Sequence, residues 1–374
     1  MLTIDVRSLQ HPHLSGVGAY VHELVNNLIT VAPSEPMVFF RNAWGEIPPL
    51  PTDWLTAPRA EARSRVPNKL LNAALTLGIG PKLDAKIPAA TFFCPNLNFV
   101  RLRPETRLVL TIHDLTFEIG PHWYSKKHLL AHRLMRPRTL VPRADAVIAV
   151  SHQTKADLIA LYGIKPEKIH VIYPGLPSAA PAEPVILPND TALPERFALF
   201  ISTIERRKNV PGIIAAWNKI KTQPCHKDLH LVIAGAPGFG YEEVLQAAGA
   251  SPFADEIHLL GYVSPGQKTA LLSRAALFVY PSFYEGFGFP PLEALRVGVP
   301  VCVGVGGALT EVVGGAALIV NPYLPGEIAE GMDALLTSVA LCDRLMSRAP
   351  QVLQRYDWRR SAEEHWRVLS SNGS

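Results

Sequence analysis

The sequence predicts an α/β protein of two doubly wound, Rossmann-like domains, and three observations carry the prediction. Short apolar runs alternate with stretches of helical periodicity along the chain, the pattern of parallel sheets flanked by helices. Between Pro174 and Pro194 that alternation gives way to six prolines and few periodic apolar residues, which marks a linker. At 374 residues the chain is too long for one ordinary core, and about two domains is the expected number.

In the first half, Leu2 to Val6 is a strand. Ser15-Gly16-Val17-Gly18-Ala19-Tyr20 then forms a glycine loop leading into a helix with Tyr20, Leu24 and Leu28 on one face. Such a loop holds pyrophosphate in dinucleotide folds, but the third glycine of Gly-x-Gly-x-x-Gly is missing and no ribose-binding acid follows about 20 residues on. Neither this loop nor the later one supplies that fingerprint, which argues against a NAD(P)-dependent oxidoreductase. Arg63 to Leu83 mixes basic residues with leucines. It reads either as a helix whose apolar side faces the core or as a segment lying on anionic lipid. Arg107 to Ile112 is a strand with His113-Asp114 at its C-terminal end, where open α/β sheets bind ligands. A histidine there is also common as a structural residue. Ala144 to Val150 is the next strand, and Ser151 caps a helix through Leu161. Ile169 to Tyr173 follows.

The second half opens with the strand Phe197 to Ile201 and a basic loop containing Arg206, Arg207 and Lys208. Arginine receives phosphate by a bidentate fork and lysine as a point charge, although a solvated surface loop has the same composition. Leu229 to Ala234 ends in Gly235-Ala236-Pro237-Gly238, without the Gly-Lys-Ser/Thr ending of a P-loop. His258 to Leu260 leads to Gly261-Tyr262-Val263-Ser264. The apolar run Ala275 to Tyr280 precedes a loop with Gly286, Phe287 and Gly288, and then Pro290-Pro291 opens a helix. Proline suits a first helical position, the remaining N-terminal amides favour an anion, and the glycines admit close backbone approach to a ligand. Glu285 stands in the loop and Glu293 in the first helical turn. Either carboxylate can receive sugar hydroxyls, and Glu293 can equally well just complement the helix dipole. Pro300 to Val303 is a further strand before the glycine-rich Gly304 to Leu309, and Asp357-Trp358 begins the last helix.

Composition narrows the function. No apolar run approaches the ~20 residues of a membrane span, and the N-terminus reads as a strand rather than a signal peptide. Cys94, Cys225, Cys302 and Cys342 lack Cys-x-x-Cys spacing, as expected of buried thiols in a reducing cytosol. The net charge is +4, yet residues 59–143 hold 15 Lys or Arg against 5 Asp or Glu. That excess suggests an anionic partner: a membrane surface or a pyrophosphate-bearing lipid. Without a zinc finger or other recognition motif, nucleic acid is not expected.

Glu285 and Glu293, set in Glu-Gly-Phe-Gly-Phe-Pro-Pro-Leu-Glu-Ala, resemble the motif of the family 4 (group 1) retaining glycosyltransferases. The resemblance covers nearly the whole chain and is strongest from Phe197 to Pro322. It implies the GT-B fold: domains at 1–178 and 190–356 facing across a cleft, and a helix at 357–374 crossing back to the first. It also implies transfer of a sugar from a nucleoside-diphosphate sugar to a glycan or lipid-linked glycan. Its overall pattern is similar to mannosyltransferases using GDP-mannose, with a UDP-sugar as the alternative donor and a non-catalytic scaffold as the alternative role. His113 and the loop of Gly16 and Gly18 would face the transferred sugar. Lys208 and Arg206 or Arg207 would meet the donor phosphates, many members having a second arginine where this chain has Ser202. Tyr262 and Val263 would pack on the base, Gly286, Phe287 and Gly288 would approach the donor, and Glu285 and Glu293 would grip sugar and ribose. No Asp-x-Asp occurs, so no metal and no cofactor is expected. The expected location is cytoplasmic, with peripheral association at the inner membrane face.

Overall fold

The computed structural model describes residues 1–10, 15–85, 87, 89–186 and 192–371, so the start expected for a second domain at 190 lies outside the described residues. The chain divides into two compact units. The first comprises Met1–Leu115, Lys126–Gly175 and Tyr356–Ser374; the second comprises Thr116–Ser125 and Leu176–Arg355.

The first unit is built on seven parallel strands: β1 (Leu2–Asp5), β2 (Met37–Asn42), β3 (Ala60–Ser64), β4 (Thr91–Cys94), β5 (Arg107–Ile112), β6 (Ala146–Ala149) and β7 (Ile169–Val171). Their order is β3-β2-β1-β4-β5-β6-β7. In the second unit β8 (Phe197–Ile201), β9 (His230–Ala234), β10 (Ile257–Gly261), β11 (Leu277–Tyr280), β12 (Val301–Gly304) and β13 (Leu318–Val320) lie in the order β10-β9-β8-β11-β12-β13, again parallel throughout. β1, β6, β8, β11 and β12 are buried along their whole length, which is why they read as continuous apolar runs. The edge strand β3, Ala-Glu-Ala-Arg-Ser, is largely exposed and carries charges that discourage further pairing. Strand order reverses between β1 and β4 in one unit and between β8 and β11 in the other. Crevices for ligands form at the C-terminal ends of such strand pairs.

Several elements differ from expectation. The helix Gly16–Val31 starts at Gly16 because the Ser15 side chain accepts from the Gly18 amide at 3.1 Å. Gly16 and Gly18 therefore occupy its first turn rather than a loop. Arg63 to Leu83 is not one helix: Arg63 and Ser64 end β3, and the helix Asn68–Leu77 stops at Gly78, whose φ of 73° lets the chain turn away. Leu71 and Leu75 are buried, but Leu70, Leu77 and Ile79 are 65%, 70% and 77% exposed, so only a narrow face meets the core. Cys94 and Cys302 are buried as expected; Cys225 is exposed.

The last helix, Trp358–Ser370, is capped by Asp357 and packs on Gly16–Val31 within the first unit. Trp358, Ala362, Val368 and Leu369 share one core with Tyr20, Leu24 and Leu28. The Tyr20 hydroxyl lies 2.9 Å from His365 Nε2, and His365 Nδ1 lies 2.7 Å from the Ser361 carbonyl. A carbonyl only accepts, so Nδ1 carries the proton and Nε2 receives the hydroxyl. Burial holds this neutral imidazole down at about 4. Among the described residues no helix is long and apolar enough to cross a membrane.

Candidate active site

β8 and β11 are paired in parallel, Leu277 opposite Ala198, so the loops that follow them emerge at the same edge of the sheet. After β8 the chain makes a short turn, Arg206–Lys208, closed by Asn209 at φ 57°, and enters the helix Val210–Lys221. Asn209 tolerates the left-handed region better than most residues. Its side-chain amide also donates to the carbonyls of Pro281 and Pro322 at 3.3 and 2.6 Å, which ties the basic turn to the loop after β11.

A buried ion cluster lies where the two loops meet. Lys208 Nζ is 2.6 Å from Glu285 Oε1 and 2.7 Å from the Tyr280 hydroxyl. Arg207 Nη1 is 2.5 Å from Glu285 Oε2 and donates to the Tyr284 carbonyl at 2.7 Å. The exposures of Arg207, Lys208 and Glu285 are 9%, 6% and 6%. Burial by itself would raise Glu285, but the charges of Arg207 and Lys208 and their hydrogen bonds bring it down to about 2. Burial and Arg207 press Lys208 towards the neutral amine; Glu285 and Tyr280 outweigh them, and its affinity for the proton rises. Arg207 also meets the partly exposed Glu205 at 3.5 Å, so two cations face two carboxylates, of which only Glu285 is buried with them. Tyr280 and Glu285 take two of the three ammonium donors, and the third has no partner among the described residues. An oxyanion is the natural acceptor for it.

The glycine-rich stretch after β12 braces this cluster from below. Gly307 has a φ of +67°, and a Cβ there would stand 2.2 Å from the Glu285 carbonyl, which accepts from the Ala308 amide at 2.8 Å. Only glycine lets the two loops approach so closely.

The helix after Gly288 departs from the sequence reading. It runs Phe289–Arg296, with Gly288 at φ 114° as its cap. Pro290 and Pro291 thus both fall inside the first turn and remove two of the four amides that a helix start leaves unpaired. Gly288 and Phe289 supply the rest. Because the helix starts before the prolines, Glu293 lies in its second turn, not its first. Glu293 is 6% exposed and pairs with Lys268 at 2.5 Å. Sequence reasoning missed Lys268: it sits on the helix Pro265–Arg274, whose Ser264–Gln267 capping box is legible, but its pairing is purely tertiary.

The two arginines separate. Arg207 joins Glu285, whereas Arg206 pairs with the half-exposed Glu243 at 3.2 Å and donates to the His122 carbonyl at 3.1 Å. Ser202 meets the Tyr280 hydroxyl only at 3.5 Å. Gly286 and Phe287 are buried within the Glu285 loop, while Tyr262 is 62% exposed beside the half-buried Val263. Trp123, also unforeseen, stacks on Phe283 at 6.0 Å between ring centres.

His113 belongs to the first unit, just beyond β5. Its Nε2 donates to the Pro95 carbonyl at 2.9 Å and its ring meets Tyr20 edge-on at 4.6 Å. Its own carbonyl accepts from the Thr154 hydroxyl at 3.3 Å. Burial lowers its pKa, which keeps the ring neutral. At the same strand ends Arg7 grips the buried Asp5 at 2.6 Å, an ion pair that sequence reasoning did not single out. Among the described residues one group of three potential metal ligands occurs, Cys225, His226 and Asp333, placed before β9 rather than at the C-terminal edge of the sheet.

Residues 188–352 match the family described as "Glycosyl transferases group 1", and residues 14–179 match "Glycosyltransferase Family 4". Over 335 residues the chain is 30% identical to the alpha-maltose-1-phosphate synthase of Mycolicibacterium smegmatis, covering 76% of this chain and 84% of that protein. The chain belongs to the family 4, group 1 glycosyltransferases. This glycosyltransferase is also 28% identical over 323 residues to the O-antigen chain mannosyltransferase B of Escherichia coli, covering 83% of this chain and 84% of that protein. Among solved structures it is similar to WaaG, a glycosyltransferase involved in lipopolysaccharide biosynthesis, at a TM-score of 0.72 and 15% identity over the whole of both chains. That likeness shows the GT-B fold for the glycosyltransferase.

Proposed function

We propose that this glycosyltransferase moves mannose from GDP-mannose to a hydroxyl of a glycan or lipid-linked glycan, with retention at the anomeric carbon and without a metal ion. The buried cluster of Lys208, Arg207 and Glu285 at the ends of β8 and β11 carries the reading. As the glycosidic bond breaks, negative charge builds on the departing diphosphate. Fixed donors already aimed at it lower the barrier without reorganising. Lys208, Arg207 and the amides of Gly288 and Phe289 are those donors, and their charge does the work that a metal does elsewhere. Glu285 orients the sugar hydroxyls, Glu293 the ribose hydroxyls, and His113 contacts the sugar.

Retention follows from front-face attack. The acceptor oxygen bonds to the anomeric carbon on the side the diphosphate leaves, and the leaving phosphate takes the acceptor's proton. A covalent glycosyl-enzyme would need Glu285 as nucleophile. Both its oxygens are held by cations and its pKa is about 2, which makes it a weak one. The choice of mannose rests on the E. coli relative's name, and the basic stretch 59–143 supports an acceptor held at an anionic membrane surface.

Thermal shift in EDTA against GDP, UDP, ADP and NAD, followed by hydrolysis of the matching nucleotide sugars, tests the reading. Stabilisation by GDP with turnover of GDP-mannose is the expected outcome. Stabilisation by UDP alone would move the donor to a UDP-sugar, and stabilisation by NAD alone would overturn the assignment.

A further inference from the structure

A cavity of about 410 Å³ opens in the first unit at the N-terminal ends of β5 and β6, lined by residues of that unit alone. His113 follows the other end of β5, a six-residue strand spanning roughly 20 Å. The cavity and the His113 loop therefore occupy opposite edges of the sheet.

Five cations line it, Lys82, Arg101, Arg103, Arg136 and Arg143, against the single carboxylate of Asp145. Some are already engaged. Arg101 donates to the Gly80 carbonyl, and Arg103 is held by the buried Asp84 at 3.3 Å and by Glu105 at 3.7 Å. Asp145 accepts from the Leu108 amide at 2.7 Å. Lys82, Arg136 and Arg143 have no side-chain hydrogen bond or ion pair among the described residues. Among the described residues Arg136 is also one of two non-glycine residues with positive φ, at 55°, in the turn between the helices Lys126–Met135 and Pro137–Arg143. Such a backbone costs about 1 kcal/mol or more and is often retained where it places a functional side chain.

We propose that this cavity binds a phosphate or diphosphate group, separate from the nucleotide donor. Lys82, Arg136 and Arg143, which no ion pair engages among the described residues, repel one another, and a phosphoryl oxyanion relieves them while taking arginine forks in bidentate geometry. The volume lies within the range of small-ligand sites, roughly 300–1,000 Å³. The phosphoryl group can belong to a soluble metabolite or to a lipid headgroup. Leu134, which lines the cavity, is 42% exposed, and Leu130 on the same helix is 56% exposed. Leu77 and Ile79 are more exposed still, and neighbouring Thr76 bonds to the Leu134 carbonyl at 3.1 Å. Leucines in that position suit an alkyl chain beside its phosphate.

Calorimetric titration of the full chain with inorganic pyrophosphate, at saturating GDP or UDP, tests the site. Binding that weakens by at least about tenfold in the Arg136→Gln/Arg143→Gln variant, the loss expected for charge-assisted contacts, supports it. Nucleotide binding should stay unchanged in that variant, whose altered side chains are exposed. The single variant Lys82→Gln serves as a second probe should the double variant melt early. Flotation with phosphatidylglycerol and phosphatidylcholine vesicles separates the two sources. A lipid headgroup predicts binding to phosphatidylglycerol that both Arg136→Gln/Arg143→Gln and Leu77→Ser/Leu134→Ser weaken. A soluble ligand predicts pyrophosphate binding with the protein left at the bottom of the gradient. No pyrophosphate binding, or binding equal in wild type and charge variants, would overturn the proposal.

Discussion

Lys208 Nζ and Glu285 Oε1 lie 2.6 Å apart although 77 positions separate the two residues in sequence. The contact exists because β8 and β11 are neighbours at a point where strand order reverses. Lys208→Ala should lower kcat/KM by roughly 2–4 kcal/mol, the scale of removing one fixed donor from a developing oxyanion. Steady-state assays with the nucleotide sugar, run beside a thermal melt, would show it. An unchanged kcat/KM would take Lys208 out of the site.

Arg206 and Arg207 should behave differently despite being adjacent. Arg206 pairs with a half-exposed carboxylate, and its loss should cost less than about 1 kcal/mol in stability and in transition-state energy. Arg207→Ala strips a buried partner from Glu285 and should reduce kcat/KM on the scale predicted for Lys208. Equal effects of the two substitutions would contradict this division of roles.

Gly307→Ala should lower activity and melting temperature together, since its Cβ collides with the Glu285 backbone at a φ of +67°. Gly16→Ala gives the contrast, because nothing lies within 4 Å of a Cβ there. Its stability should hold, so a fall in activity would report a direct role for Gly16 in approaching the substrate.

His365 should make stability depend on pH. The folded imidazole titrates at about 4 against an ordinary value of 6.5, so the unfolded chain binds the extra proton first. Stability is complete above pH 6.5 and falls as pH drops from 6.5 to 4, by about 3 kcal/mol in all. Urea unfolding across that range should show the slope, and His365→Gln should flatten much of it. His113, His230 and His258, which burial also lowers, add to the slope that remains. A variant curve parallel to wild type would exclude His365 as a source.

Turnover should survive EDTA if the positive charge of Lys208 and Arg207 suffices for the diphosphate. Activity abolished by EDTA and restored by Mg²⁺ or Mn²⁺ would refute metal independence. A melting shift from added Zn²⁺ that disappears in His226→Gln would instead locate a structural ion beside Cys225 and Asp333.

Much of the frame was legible because parallel strands buried on both faces must be continuously apolar. β5 and β8 stand at the residues their apolar runs indicated. β3 was invisible for the converse reason, since an exposed edge strand written Ala-Glu-Ala-Arg-Ser has no apolar run. In the candidate site, the motif residues Lys208 and Glu285 could be picked out from local sequence. The partition of Arg206 from Arg207 and the pairing of Lys268 with Glu293 could not, because both depend on contacts between distant segments. The helix after Gly288 began earlier than its prolines suggested, because a left-handed glycine can cap a helix one residue ahead of them.

The last helix completes the core of the first unit, and this bears on how the chain is made. A ribosome releases the seven strands of that unit well before Trp358, Ala362 and Leu369 emerge to cover Tyr20 and Leu24. Apart from Thr116–Ser125, the second unit is one continuous stretch, Leu176–Arg355. It can fold while the first, begun earlier, still waits with apolar surface open to chaperones. The half translated first is finished last.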